Sequence, residues 1–108
     1  MSEEPHQHRV PTVLETDKAI DEAARLFAAA GDPARLRLLE LLSRGEYCVG
    51  GIAEATGEAM STISQRLRIL HQVGLLSRRR DGRHIYYRLA DDHVVELIAN
   101  ALAHVKHK

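Results

Sequence analysis

Apolar positions in this chain follow a helical period, switch to strict alternation, and return to a helical period. Over residues 16–30, Ile20, Ala23, Ala24, Phe27 and Ala28 recur at i, i+3, i+4, i+7 and i+8, which predicts a helix with one thin apolar face. Alanine on that face lets another helix approach closely. The neighbour is either the core of the same chain or a second copy. Asp32-Pro33 has the chemistry of an N-cap followed by a first helical residue that needs no N–H. Leu36, Leu38, Leu39, Leu41 and Leu42 make the helix that follows the most apolar one, and Gly45 is placed to end it. Its Arg35, Arg37 and Arg44 read as a solvated face.

Residues 49–56 predict a short helix with Ile52, Ala53 and Thr56 inward, then a tight turn at Gly57-Glu58-Ala59-Met60, then a helix over 61–73. This is a helix-turn-helix arrangement. In its second helix Ile63, Leu67 and Leu70 share a face, while Ser61, Gln65, Arg68 and Gln72 lie roughly opposite. Those polar groups are of the kind that read base edges in a major groove, although an ordinary amphipathic helix has a wet face too. Gly74 stops the helix. Leu75 to Arg80 and Arg83 to Leu89 are strand-like about Asp81-Gly82, a strong hairpin signal. Ile85, Tyr87 and Leu89 alternate with His84, Tyr86 and Arg88, so one hairpin face packs and the other is wet. Arg78, Arg79, Arg80 and Arg83 crowd the tip. Protection of an edge strand needs fewer charges. A cationic hairpin beside a helix-turn-helix is a wing placed to meet phosphate or a minor groove.

The last periodic stretch runs from Asp91 to His107, with Asp91 and Asp92 at the cap and first turn and Val94, Ile98, Ala101 and Val105 as an apolar stripe. At about 100° per residue, His93, His104 and His107 fall within roughly 60° of one another, beside that stripe. One carboxylate and three imidazoles suit Zn²⁺, Co²⁺ or Ni²⁺. One helix cannot close such a site, because His93 and His104 lie roughly 16 Å apart along its axis, whereas metal–ligand bonds are about 2 Å. Two copies packed antiparallel along the apolar stripe do close it, twice, with ligands shared across the interface. The plain alternative is a solvated histidine-rich terminus.

Composition then bounds the class. A chain of 108 residues makes one domain with a modest core. Residues 1–14 lack periodicity and read as a flexible arm, leaving 15–108 as the folded unit. The single cysteine, Cys48, excludes an intrachain disulfide and fits a reducing cytoplasm. No signal peptide and no run of transmembrane length is present, so no membrane role is expected. The net charge of zero argues against a nucleic-acid partner, but its distribution reverses the argument. Residues 61–90 hold seven arginines against the single Asp81. A local basic patch matters more for DNA than the global sum.

With those features assembled, the chain resembles the ArsR/SmtB family of metal-responsive bacterial repressors over about residues 20–107. The matching segments begin with Gly31-Asp32-Pro33-Ala34-Arg35-Leu36-Arg37-Leu38-Leu39, Cys48-Val49-Gly50 and Ser61-Thr62-Ile63-Ser64-Gln65-Arg66-Leu67-Arg68. They continue with Gly82-Arg83-His84-Ile85-Tyr86-Tyr87, then Asp91 and His93 with His104 and His107. The last set resembles the zinc-sensor branch. The resemblance implies a mainly α fold with a β-hairpin, a winged helix-turn-helix that forms a homodimer through its terminal helices. It implies metal sites built from Asp91 and His93 of one chain with His104 and His107 of the other. It also implies operator double-stranded DNA held by the metal-free dimer through Ser61, Thr62, Ser64, Gln65 and Arg68 and the wing arginines 78, 79, 80 and 83, and released on binding Zn(II). The regulated genes would serve metal efflux or resistance.

Two departures qualify this. Gln65 stands where the family often has His, which puts base preference in question. Members with a second metal site use the cysteine matching Cys48 together with an acid, and here Gly51 occupies the acid's position. Cys48 therefore reads mainly as a small buried residue, with a second site of His6, His8 and Cys48 as a minor alternative. Relatives that sense Ni(II) or Co(II) share the same four residues and recruit ligands from chain ends, so His6 and His8 keep that metal class open. Two other function classes compete. A hydrolytic metalloenzyme needs an open metal position and a general base, and neither is evident. A metal buffer with an incidental helix-turn-helix would show no sequence-specific DNA binding.

Overall fold

The computed structural model describes residues 9–107, and His6 and His8 lie outside them. Helix α1 spans Asp17–Ala30, α2 Pro33–Leu42, α3 Val49–Thr56, α4 Met60–Gln72 and α5 Asp92–Lys106. Strands β1 (Tyr47–Cys48), β2 (Leu76–Asp81) and β3 (His84–Leu89) form one antiparallel sheet in the order β1-β3-β2. The helices start where local chemistry places them. Thr16 caps α1 by accepting from the Ala19 N–H, and Asp32 caps α2 by accepting from the Arg35 N–H at 3.1 Å. Pro33 follows as the first residue of α2.

Leu38, Leu39 and Leu42 of α2 meet Ile52 of α3, Ile63, Leu67 and Leu70 of α4, and Leu75, Leu76, Tyr87 and Leu89 around the sheet. Val94 and Ile98 of α5 close that core from the other side. Arg35 Nε donates to the Ala29 carbonyl at 2.8 Å, tying the start of α2 to the end of α1. The pairs Leu76↔Leu89 and Arg78↔Tyr87 set the wing register, so its packed face is apolar at the root and cationic toward the tip.

Several expectations change in detail. Helix α2 ends at Leu42, before Gly45, because Ser43 already takes the cap, with its hydroxyl donating to the Glu40 carbonyl. The hairpin pairs Asp81 with His84, so the loop is Gly82-Arg83 and not Asp81-Gly82. Gly82 has φ 63, and among the described residues no non-glycine residue has positive φ, the pattern of a turn that needs glycine at its first central position. Thr56 is exposed. Its hydroxyl turns back along α3 to the Ile52 carbonyl at 2.9 Å instead of facing the core. Met60 belongs to α4 and not to the turn.

The larger change concerns the outer helices. The face of α1 read from periodicity is not covered by this chain: Ile20 is 56% and Phe27 59% exposed. The inward residues of α1 are Leu26, Ala29 and Ala30. On α5 the stripe divides. Val94 and Ile98 are buried in the chain's own core, while Ala101 is exposed and Val105 is 54% exposed. Val94 and Ile98 therefore cannot serve as a seam with another copy. By turn arithmetic Leu97 and Ala101 fall between the buried line and the histidines, and that strip is the apolar surface next to them.

Candidate nucleic-acid interface and metal half-sites

Helix α4 is held by Ile63, Leu67 and Leu70, each fully buried, which fixes its rotation about its own axis. The opposite side is thereby presented outward. Ser61, Gln65, Arg68 and Gln72 are exposed, and Thr62 and Ser64 are half-buried at its flanks. The cap residue Ala59 offers no side-chain hydrogen bond and the first turn holds no acid, so the leading N–H groups of α4 are left for an anion. Arg66 is otherwise engaged, in an ion pair with Glu58 of the preceding turn. It ties the turn to the helix.

The wing stands beside this helix. A groove of about 210 Å³ runs between them, lined by Gly50, Met60, Ser64, Arg83 and His84 among others. Arg78, Arg80 and Arg83 are exposed. Alternation along β2 places Arg79 on the other face from Arg78 and Arg80. There its guanidinium forks onto Glu46, with Nε 3.0 Å from both carboxylate oxygens and Nη2 2.7 Å from Oε1. It also lies 4.7 Å from the centre of the Tyr86 ring. The hydrogen bond from Arg79 is the main reason the Glu46 carboxyl is held below the usual carboxylate range, and the same bond raises Arg79. Sequence reasoning grouped Arg79 with the other tip arginines because Glu46 is distant in the chain. His71 is half-buried with its ring edge-on to Tyr87.

The four residues expected to hold metal lie in two groups. At the start of α5, Asp91 Oδ1 accepts from the Val94 N–H at 3.0 Å, so this carboxylate is the helix cap. The same oxygen lies 3.6 Å from His93 Nδ1, and the His93 side chain is 96% exposed. At the other end His104 and His107 are exposed on the last turn, where the His107 N–H donates to the His104 carbonyl. Among the described residues, no three His, Cys, Asp or Glu side chains gather within the one chain. Each end carries two side chains of the chemistry that suits a zinc-like ion, a carboxylate and an imidazole at Asp91 and His93 and two imidazoles at His104 and His107.

Cys48 is half-buried and caps α3, its Sγ accepting from the Gly51 N–H at 3.4 Å. Strand β1, which pairs Tyr47 with Tyr87 and Cys48 with Tyr86, went unread because two residues carry no periodicity. Among the described residues no helix is long and apolar enough to cross a membrane.

Comparison with known proteins agrees with this architecture. The model of bacterial regulatory proteins of the arsR family matches residues 32–78, from the α2 cap to the first half of β2. The transcriptional repressor SmtB homolog of Synechocystis sp. is 42% identical over 96 residues, covering 89% of this chain and 72% of that protein. The cadmium resistance transcriptional regulatory protein CadC homolog of Staphylococcus aureus is 34% identical over 84 residues, covering 77% of this chain and 69% of that one. Among solved structures, a homodimeric winged helix-turn-helix DNA-binding domain from Mycobacterium bovis, a possible ArsR-family regulator, is similar at 35% identity with a TM-score of 0.80. That similarity covers 88% of this chain and 91% of the other. With a fold of five helices and a small antiparallel wing, and with relatives of this identity and coverage, the chain belongs to the arsR family of bacterial regulatory proteins and is a transcription regulator, not an enzyme.

Proposed function

We propose that the protein is a cytoplasmic, homodimeric repressor that holds operator DNA when metal-free and releases it on binding Zn(II). The observation that carries this reading is α5 itself. It bears Asp91 and His93 at one end and His104 and His107 at the other, all exposed, on a helix too long to bring the two pairs together. In the dimer, Asp91 and His93 of one protomer and His104 and His107 of its partner hold the ion, twice. The homodimeric M. bovis domain and the cadmium-resistance regulator support the assembly and the metal response. A bound ion supplies a charged crosslink between the outermost helices. Ser61, Thr62, Ser64, Gln65 and Arg68 face the major groove, and Arg78, Arg80 and Arg83 of the wing meet the backbone.

The test is fluorescence anisotropy of a duplex that the metal-free protein selects from a random-sequence library. Zn²⁺, Co²⁺ and Ni²⁺ are each added to matched occupancy. Release by Zn²⁺ at one ion per protomer is expected. Release by Ni²⁺ or Co²⁺ alone, lost when His6 and His8 are replaced, would transfer the assignment to that metal class. Tight metal binding without any release would leave a metal-binding protein and remove the regulatory reading.

A further inference from the structure

We propose that Glu46 and Arg79 form a clasp that sets the wing, so that Arg78, Arg80 and Arg83 are offered to DNA while Arg79 is a positioning residue. This rests on the reading of the wing as a DNA contact. The tip arginines look equivalent in sequence, but the register separates them. Arg78 and Arg80 pair with Tyr87 and Ile85 on one face of the hairpin, and Arg79 pairs with Tyr86 on the other. Glu46 precedes β1, in the segment that joins α2 to the sheet. Its carboxylate takes the planar fork of Arg79 with bonds of 2.7 to 3.0 Å. The guanidinium is backed by the Tyr86 ring, and Tyr86 in turn pairs with Cys48 of β1. Asp81 Oδ2 lies 3.8 Å from the same guanidinium. Among the described residues no carboxylate pairs with Arg78, Arg80 or Arg83.

The consequence is chemical. Glu46 fills the Nε and Nη2 edge of the guanidinium, so that edge cannot also take a phosphate, and the remaining Nη1 lies 3.8 Å from Asp81 Oδ2. The clasp joins the body to the strand that carries the tip. Since β1 offers the wing only two residues of pairing, Glu46 is the side-chain tie at the outer face of that root.

The experiment uses the full-length protein and the library-selected duplex over a range of salt concentrations, with Arg80→Ala, Arg79→Met, Glu46→Gln and the Glu46→Gln/Arg79→Met double variant. Arg80→Ala should lower the log–log salt slope by about 1. Arg79→Met and Glu46→Gln should leave the slope unchanged and weaken affinity by about fivefold or less. The double variant should lose no more than the larger single. Without DNA, both single variants should speed amide exchange in β2 and β3. The proposal is overturned if Arg79→Met lowers the slope as Arg80→Ala does. It is also overturned if Glu46→Gln steepens the slope by about 1, because Arg79 would then be a phosphate ligand that Glu46 holds back. Unmoved affinity and exchange in both variants would equally sink it. If the wild-type protein selects no duplex at all, the DNA-binding reading fails, and the exchange measurement still decides the clasp.

Discussion

The DNA-reading unit and the terminal helices are built to different degrees of completeness within one chain. In the first, α2, α3, α4 and the wing bury Leu39, Ile52, Ile63, Leu67, Leu70 and Leu75 almost wholly. Every element has its apolar face covered by another element of the same chain. The terminal helices do not reach that state. Helix α1 leaves Ile20 and Phe27 more than half exposed, and α5 presents two separate pairs of candidate ligand side chains. The difference teaches where the second copy belongs. A surface reader can be finished in one protomer, whereas a sensor with its ligands at opposite ends of a helix is finished only by association.

The sharpest way to break that contrast is to damage the two pairs separately. One tagged protomer carries Asp91→Ala and His93→Ala, and the other carries His104→Ala and His107→Ala. Each variant homodimer should lose high-affinity metal entirely. The purified mixed dimer should bind one ion, because one shared site receives all four intact ligands. Cobalt absorption titration reads this out, and a folded mixed dimer with no tight site would end the shared-ligand account.

Stability separates the regions next. Leu39→Ala, at a fully buried position, should cost about 2–5 kcal/mol at any protein concentration. Phe27→Ala should change stability only where dimers form. Its thermal midpoint should then lose the concentration dependence expected of the wild-type dimer. A Phe27→Ala penalty that persists in dilute monomer would return α1 to the intrachain core.

A smaller effect concerns communication between the regions. Metal and operator should weaken each other's binding by the same factor, with about 1–3 kcal/mol of coupling. The family resemblance suggests that His104, once its ring is fixed, donates to a carbonyl near the end of the recognition helix, at Gly74. His104→Asn should therefore retain some metal and lose release of the duplex. A variant that binds metal and releases normally would remove this route.

The smallest expected effect is a matter of pH. The pKa of Glu46 is lowered on folding by its bond to Arg79, so the contribution of the clasp is present above the ordinary glutamate range and is lost as pH falls through the lowered value. Protection of the β2 and β3 amides, corrected for the intrinsic pH dependence of exchange, should stay constant around neutral pH and fall only in acid. A change centred near neutrality would point to some other group.

Much of the fold was legible because the chemistry was local. Asp32-Pro33, the Leu36–Leu42 repeat and Gly82 act within a few residues; the first two sit where the pattern placed them, and Gly82 is in the hairpin turn, one position earlier in the loop than read. Asp91 was legible as a cap for the same reason. What stayed illegible depended on distant partners. Periodicity identified the apolar face of α1 but not whether this chain or another covers it. The α5 stripe looked uniform, yet only Val94 and Ile98 lie over the sheet and core, while Val105 extends past them. The arginine run gave no sign that Arg79 differs from its neighbours, because its partner Glu46 sits 33 residues away. Of the candidate metal set, the residue types and their spacing could be read, but His6 and His8 lie outside the described residues.

If the two pairs on α5 hold metal between protomers, as proposed, copy number becomes part of the sensor. A site made by two protomers exists only in the associated fraction, so apparent metal affinity must fall on dilution below the dimer dissociation constant. Metal in turn must tighten association by the same linkage. A cell with few copies of such a protein would detect a given metal concentration less sensitively than a cell with many. The sensing threshold would then be adjustable through expression level alone, with every ligand unchanged.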